Sequence, residues 1–122
     1  VGLDNKFLEK YPNQLSGGQC QRVNIARTLS VNPKILIADE PTSALDVTIQ
    51  SQIIELIMNL CKKMELTLIF ISHDLSVVKQ ICNKVIVMKN GNIMEKGSTY
   101  NVFHKTKDNY TKELISSIPS LN

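Results

Sequence analysis

The sequence has no apolar run that approaches the roughly 20 residues needed to cross a bilayer. Its first ten residues also lack the basic flank and apolar core of a secretory signal. The three cysteines, Cys20, Cys61 and Cys82, are odd in number, widely spaced and outside any C-x-x-C or Cys/His ligand pattern. These absences exclude a disulfide framework and a zinc site, and they predict reduced thiols in a chain that does not itself enter a membrane.

The sequence also lacks a large excess of charge of either sign. The formal net charge is only +3, and the lysines of the C-terminal third are interrupted by Glu95, Asp108 and Glu113, whereas a nucleic-acid-binding surface would cluster positive charge. Hydrophobic residues make up 43% and charged residues 20% of the 122 residues, which excludes a disordered or collagen-like chain. We therefore expect one compact globular piece with a modest core and no nucleic-acid partner.

Apolar periodicity predicts alternating helices and strands in the first two thirds of the chain. Ser16 can cap the first helix, and the short apolar run that follows Pro33 predicts a strand buried on both faces. Strand–helix alternation of this kind implies an α/β fold with a mainly parallel sheet flanked by helices. In chain order, the predicted elements are a helix over 17–30, a strand over 35–38, a helix over 47–64, a strand over 66–71 and a helix over 75–82.

A hairpin and two short helices are predicted for the remainder. Asn90 and Gly91 separate two apolar runs, and this dipeptide favours a two-residue hairpin turn because both turn residues need positive φ. Helical patterns then cover residues 99–104 and 109–117, before Pro119.

Two acidic residues follow the first predicted strand directly. In open α/β sheets the ligand lies beyond the carboxyl ends of the strands, which is where Asp39 and Glu40 fall. Such a pair suits nucleotide hydrolysis, since one carboxylate can hold Mg²⁺ while its neighbour orients or deprotonates the attacking water. For the pair alone, a solvated acidic turn is an equally good interpretation.

Two further groups are candidates for phosphate contacts. Gly17 and Gly18 lie at a helix N-terminus and expose backbone N–H groups that an anion can approach. Considered alone, the two glycines are better explained by a flexible loop and helix cap. His73 follows the second predicted strand and could donate a hydrogen bond to a transferring phosphoryl group, although a lone histidine there is more often structural.

Taken together, the motifs LSGGQ, ILIADEPTSALD and ISHD occur in an order and at distances that closely resemble the ATP-binding subunits of ABC transporters. Residues 15–19 resemble their signature motif, 35–40 their Walker B strand, 43–46 their D-loop, and His73 their switch histidine. The resemblance covers nearly the whole chain and implies the C-terminal portion of a P-loop ATPase domain.

The resemblance implies a composite site, because two subunits of this family sandwich two ATP molecules between the Walker motifs of one and the signature of the other. Carried over residue by residue, it makes Asp39 the organiser of Mg²⁺, Glu40 the residue that acts on the attacking water, and His73 a γ-phosphate contact. Asp46 would lie at the dimer seam. The residues expected to meet the partner's ATP are Ser16, Gly17, Gly18 and Gln19.

One motif of the family is missing. No G-x-x-x-x-G-K-[ST] loop occurs anywhere among the 122 residues, and none of the five glycines fits one. The chain also begins at Val1, without an initiator methionine. We therefore expect a fragment that is inactive alone and part of an ATP hydrolase when intact, with domain limits at 1–97 for the ATP-binding part and 98–122 for a helical extension.

The tail resembles the C-terminal extension of oligopeptide, dipeptide and nickel importers, although Tyr110, Leu114 and Ile118 at helical spacing are equally compatible with simple packing. The resemblance implies a subunit bound peripherally at the cytoplasmic face of the cell membrane. Its partners would be transmembrane permease subunits and a second ATP-binding subunit, for which the resemblance favours a different chain. Two alternatives remain: a soluble ABC ATPase of translation or DNA repair, and a catalytically dead fragment that acts only as an interaction module.

Overall fold

The computed structural model describes residues 1–118 and divides into two compact units, Val1–Ile71 and the described residues from Ser72 onward. Pro119, which was predicted to follow the last helix, lies outside the described residues. The first unit contains two short 3₁₀ helices, Asn5–Glu9 and Pro12–Gln14, then α1 (Gly17–Leu29), β1 (Ile35–Asp39), α2 (Val47–Met64) and β2 (Thr67–Ile71). The second contains α3 (Leu75–Ile81), β3 (Lys84–Lys89), β4 (Asn92–Ser98), α4 (Thr99–His104) and α5 (Asn109–Ser116).

The first unit is built on two parallel strands. β1 pairs with β2 so that Ile37 lies opposite Ile69, and the pairing continues past β1 because the Glu40 amide donates to the Ile71 carbonyl over 2.9 Å. Helices α1 and α2 contact each other. The core of this unit comprises Ile25, Leu29, Leu36, Ile53, Ile57 and Cys61.

The prediction that β1 is buried on both faces is wrong for this chain. Burial alternates along the strand, with Leu36 and Ala38 buried and their neighbours exposed. A parallel sheet needs cover on each face, and the described residues of this unit cover only one. The exposed face carries Ile35, Ile37, Ile69 and Ile71, whose exposed fractions are 55%, 63%, 46% and 47%.

The second unit is built on an antiparallel hairpin. Asn90 and Gly91 form its turn with φ values of 50° and 77°, as the dipeptide predicted. The register shifts between Val87 and Met88, a β-bulge that leaves one extra residue on β4. Helices α4 and α5 contact β4, and their packing leaves Val102 and Phe103 buried.

A carboxylate on β4 holds the segment between α4 and α5 in place. Glu95 accepts hydrogen bonds from the Thr106 hydroxyl over 2.5 Å and from the Lys107 amide over 3.1 Å. The bond from the Thr106 hydroxyl is the main reason why the pKa of Glu95 is below its ordinary value, while partial burial opposes that shift. Asp108 caps α5 by accepting from the Thr111 amide over 2.9 Å.

The predicted fold class and the predicted elements are confirmed, with helix α2 spanning 47–64 as its periodicity indicated. The cysteines are free thiols, and burial raises the pKa of Cys61 and Cys82. Among residues 1–118, no helix combines the length and apolar character that a membrane span requires. The domain limits 1–97 and 98–122 stay a prediction.

Candidate functional site

The signature-like turn is a capped helix N-terminus. Ser16 has extended backbone angles, and its hydroxyl accepts from the Gln19 amide over 3.3 Å. In return the Gln19 side chain accepts from the Ser16 amide over 2.9 Å. This reciprocal capping box explains the Ser-x-x-Gln spacing by local physics alone. It also holds both side chains, so that the exposed turn has one defined shape.

Within that turn, Gly17 and Gly18 occupy the first two positions of α1. Their N–H groups belong to the first turn of the helix and therefore have no acceptor four residues earlier within it. Together with the positive end of the helix dipole, such groups attract an anion. The turn is thus chemically suited to contact a phosphate.

Packing within the unit gives a second reason for the two glycines. A Cβ atom built on Gly17 would lie 3.1 Å from Leu45 Cδ2, and one built on Gly18 would lie 2.7 Å from Ile49 Cγ2. Real Cβ atoms essentially never approach another heavy atom as closely as 2.7 Å. The start of α1 therefore packs on the start of α2 at a distance that only glycine allows at position 18.

The two acidic residues lie at the carboxyl end of β1, as predicted. Asp39 is the last residue of the strand and is exposed, while Glu40 is partly buried. Glu40 has a φ of 45°, which is uncommon for a residue with a side chain and costs free energy. Its backbone is fixed on both sides, because its amide donates to Ile71 and its carbonyl accepts from the Ser43 hydroxyl over 3.2 Å.

Asp46, the last residue of the D-loop-like segment, caps α2. Its carboxylate accepts from the Ile49 amide over 3.1 Å, and its carbonyl accepts from the Gln50 amide over 2.8 Å. The Gln50 side chain in turn donates to the Thr42 carbonyl over 2.9 Å. The start of α2 is therefore tied both to Asp46 and to Thr42, the residue that precedes the D-loop-like segment.

His73 belongs to the second unit and is exposed. It lies between two residues that shape the chain locally, since the Ser72 hydroxyl accepts from the Asp74 amide over 3.0 Å and Asp74 caps α3. These contacts fix the backbone on either side of the histidine. The other candidate residues all lie in the first unit.

Within that first unit, the structure brings the signature-like turn against the D-loop-like segment, a contact that the sequence did not indicate. Leu45 and Ile49 make this contact. Leu45 lies in the D-loop-like segment and Ile49 on the predicted helix, but nothing in the sequence indicated that either would contact α1, because their spacing of four residues is compatible with any amphipathic helix start.

Comparisons with known proteins agree with the motifs. A family model described as "ABC transporter" matches residues 1–43. The chain is 54% identical over 119 residues to the oligopeptide transport ATP-binding protein OppF of Haemophilus influenzae, covering 98% of this chain and 36% of that protein. It is 50% identical over 120 residues to the dipeptide transport ATP-binding protein DppF of Lactococcus lactis subsp. cremoris, covering 98% of this chain and 38% of that protein.

The fold also matches solved structures. The ATP-binding cassette MJ0796, in a dimeric post-hydrolysis state bound to ADP and Pi, superposes with a TM-score of 0.67 at 38% identity. That match covers 80% of this chain and 41% of the cassette. The chain thus spans little more than a third of the length of the curated relatives reported above. The matches extend along almost all of this chain, which is therefore similar throughout to one part of the ATP-binding proteins of ABC transporters.

Proposed function

We propose that this chain carries the hydrolytic end of an ATP-binding subunit that drives peptide import through an ABC transporter. The observation that supports this proposal is the geometry at the carboxyl end of β1. Asp39 ends this parallel strand, and the next residue, Glu40, is held at a φ of 45° by its backbone partners. Strained residues with side chains concentrate at functional sites, because the surrounding structure must sustain their cost.

ATP is the substrate, and Mg²⁺ is the metal that accompanies it. Within residues 1–118, His, Cys, Asp and Glu side chains form no group of three or more that could hold a metal ion. Mg²⁺ is commonly held by one or two carboxylates together with water and nucleotide phosphates. Asp39 would hold the ion, which neutralises charge on the phosphates. Glu40 would orient the attacking water or accept its proton, and His73 would contact the γ-phosphate.

The signature-like turn serves a second nucleotide, bound mainly by a partner subunit. Its capped, glycine-rich N-terminus presents N–H groups at the surface of the first unit, an arrangement suited to an anion supplied from outside. The similar MJ0796 cassette is dimeric in its ADP-bound and Pi-bound state. We infer the same kind of sandwich here, with Ser16, Gly17, Gly18 and Gln19 facing the partner's ATP and Asp46 at the seam.

The names of the relatives favour peptides over nickel as the transported solute, since both relatives reported above are peptide transport proteins. The transmembrane path would belong to permease partners, and the subunit would sit peripherally at the cytoplasmic face of the membrane. Mg-ATP would supply the free energy of transport.

The test is the Glu40→Gln variant of the intact subunit that contains this chain. We expect turnover to fall about 100-fold or more, the range that loss of a general base commonly costs, while ATP-bound dimers still form because glutamine keeps the size of the side chain. The matched control is Glu55→Gln, which makes the same change at an exposed position on α2. Steady-state phosphate release and size-exclusion chromatography with ATP report the two effects. Turnover within tenfold of the parent would contradict the assignment.

A further inference from the structure

The contact between the starts of α1 and α2 places one methyl group where Gly18 would carry its side chain. Ile49 Cγ2 lies 2.7 Å from that Cβ position, whereas the neighbouring contact, Leu45 Cδ2 at Gly17, lies at 3.1 Å. Isoleucine is branched at Cβ, and this branching strongly restricts its χ1 angle within a helix. The position of Cγ2 is restricted with it. This methyl therefore cannot swing away as the tip of a leucine can.

Ile49 is itself held firmly. Its amide donates to the Asp46 carboxylate over 3.1 Å, and one turn further along α2 Ile53 is completely buried, as is Ile57 after it. The helix cap fixes the N-terminal side of Ile49, and the core fixes the C-terminal side. Asp46, Ile49 and Gly18 are thus linked in series by one hydrogen bond and one close contact.

We propose that Ile49 is a positioning residue that couples Asp46 to the signature-like turn within one subunit. Its Cγ2 methyl sets the separation of the two surface segments, so that Asp46 and the turn of Gly17 and Gly18 approach a partner subunit as one rigid body. This inference rests on the proposed function, because it matters for activity only if both segments face a partner's nucleotide. It gives Gly18 a role in packing inside its own subunit, in addition to close approach of an anion.

A double-mutant cycle in the intact subunit separates the two roles of Gly18. Gly18→Ala should lower kcat/KM for ATP hydrolysis at least about tenfold, because its new methyl overlaps Ile49 and the resulting coupling energy lies in the range seen for contacting residues. Ile49→Ala removes Cγ2, and in that background Gly18→Ala should cost about twofold or less. Ile49→Val keeps Cγ2, and in that background the full loss should persist.

Gly97→Ala serves as the glycine control. A Cβ atom at that position would lie 3.5 Å from Val102 Cγ2, an ordinary contact, and the residue has no positive φ. If Gly18→Ala does not accumulate as folded protein, Gly17→Ala with and without Leu45→Ala provides a milder version of the same cycle. Thermal unfolding of every variant, and its ATP-dependent dimerisation, are measured alongside hydrolysis.

Coupling between positions 18 and 49 in both dimerisation and kcat/KM supports the positioning role. An equal loss from Gly18→Ala whatever residue occupies position 49 overturns it, since the glycine would then be needed only for the approach of ATP. Coupling confined to the unfolding temperature overturns it as well, because the contact would be purely structural. A parent subunit without ATP hydrolysis would refute the proposed function, whereas an active parent without coupling refutes only this inference.

Discussion

The exposed surfaces of the two sheets differ in composition. The uncovered face of the β1–β2 sheet carries four isoleucines beside Asp39 and Thr67, whereas the hairpin exposes Lys84, Lys89 and Lys96 together with the apolar residues Ile86, Met88, Ile93 and Met94. In the hairpin, for example, exposed Ile86 pairs with exposed Lys96. Antiparallel sheets often face water on one side, but parallel sheets are normally buried on both. The β1–β2 sheet therefore has the composition of an interior sheet, and the hairpin has that of a surface element.

The largest expected effect concerns ATP hydrolysis, for which the β1–β2 sheet carries only some of the residues required. Residues 1–122 alone should release no measurable phosphate from Mg-ATP, because no phosphate-binding loop neutralises the charge that develops during transfer. Calorimetric titration of Mg-ATP into the purified chain should likewise show no binding. Steady phosphate release, or tight stoichiometric binding, would show that the end of β1 suffices without such a loop.

The second expected effect tests the isoleucine face directly. Exposed apolar surface of this kind drives association, so the isolated chain should self-associate at micromolar concentrations. Replacing Ile37 and Ile69, which lie opposite each other, by asparagine should shift the chain towards monomer in light scattering. The same change at Ile86 of the hairpin is the control and should have little influence. Equal effects at both places would remove the distinction between the two sheets.

Local pattern was enough to predict most of the fold. Helix α2 and the Asn90-Gly91 turn follow from periodicity and from backbone preferences that act over a few residues. The exposure of Ile35 and Ile37 did not follow, because a continuous apolar run reports a preference for burial and not the presence of a covering surface. The prediction failed at the face of the sheet that the described residues of the first unit leave uncovered.

The candidate site was also only partly predictable from the sequence. The chemical roles assigned from the order of the motifs stay predictions, whereas the Ser16–Gln19 capping box could have been predicted, since its Ser-x-x-Gln spacing is local. The fit of Ile49 against Gly18 was not predictable, because it depends on the angle and depth at which α1 crosses α2. The positive φ of Glu40 could not be predicted either, since nothing in its residue type favours a left-handed backbone.

The smallest expected effect lies in the second unit. Glu95→Gln should lower the free energy of unfolding by about 1 kcal/mol at pH 7, the typical net contribution of a hydrogen bond at a partly exposed site. Because the folded-state pKa of Glu95 is lowered, its contribution is present above the unfolded pKa and is lost as pH falls through the folded pKa. The difference between parent and variant should therefore shrink below about pH 4. Denaturant unfolding at several pH values measures it.

Glu113→Gln makes the matched change at an exposed glutamate on α5 and should leave stability nearly unchanged at every pH. The contrast matters because Glu95 and Glu40 are both partly buried carboxylates in or beside strands, yet we assign only Glu40 to chemistry. If Glu95→Gln lowers ATP turnover in the intact subunit as strongly as Glu40→Gln, the two carboxylates are not distinguished by role. If it lowers stability alone, the hydrogen bonds from Thr106 and Lys107 account for the residue in full.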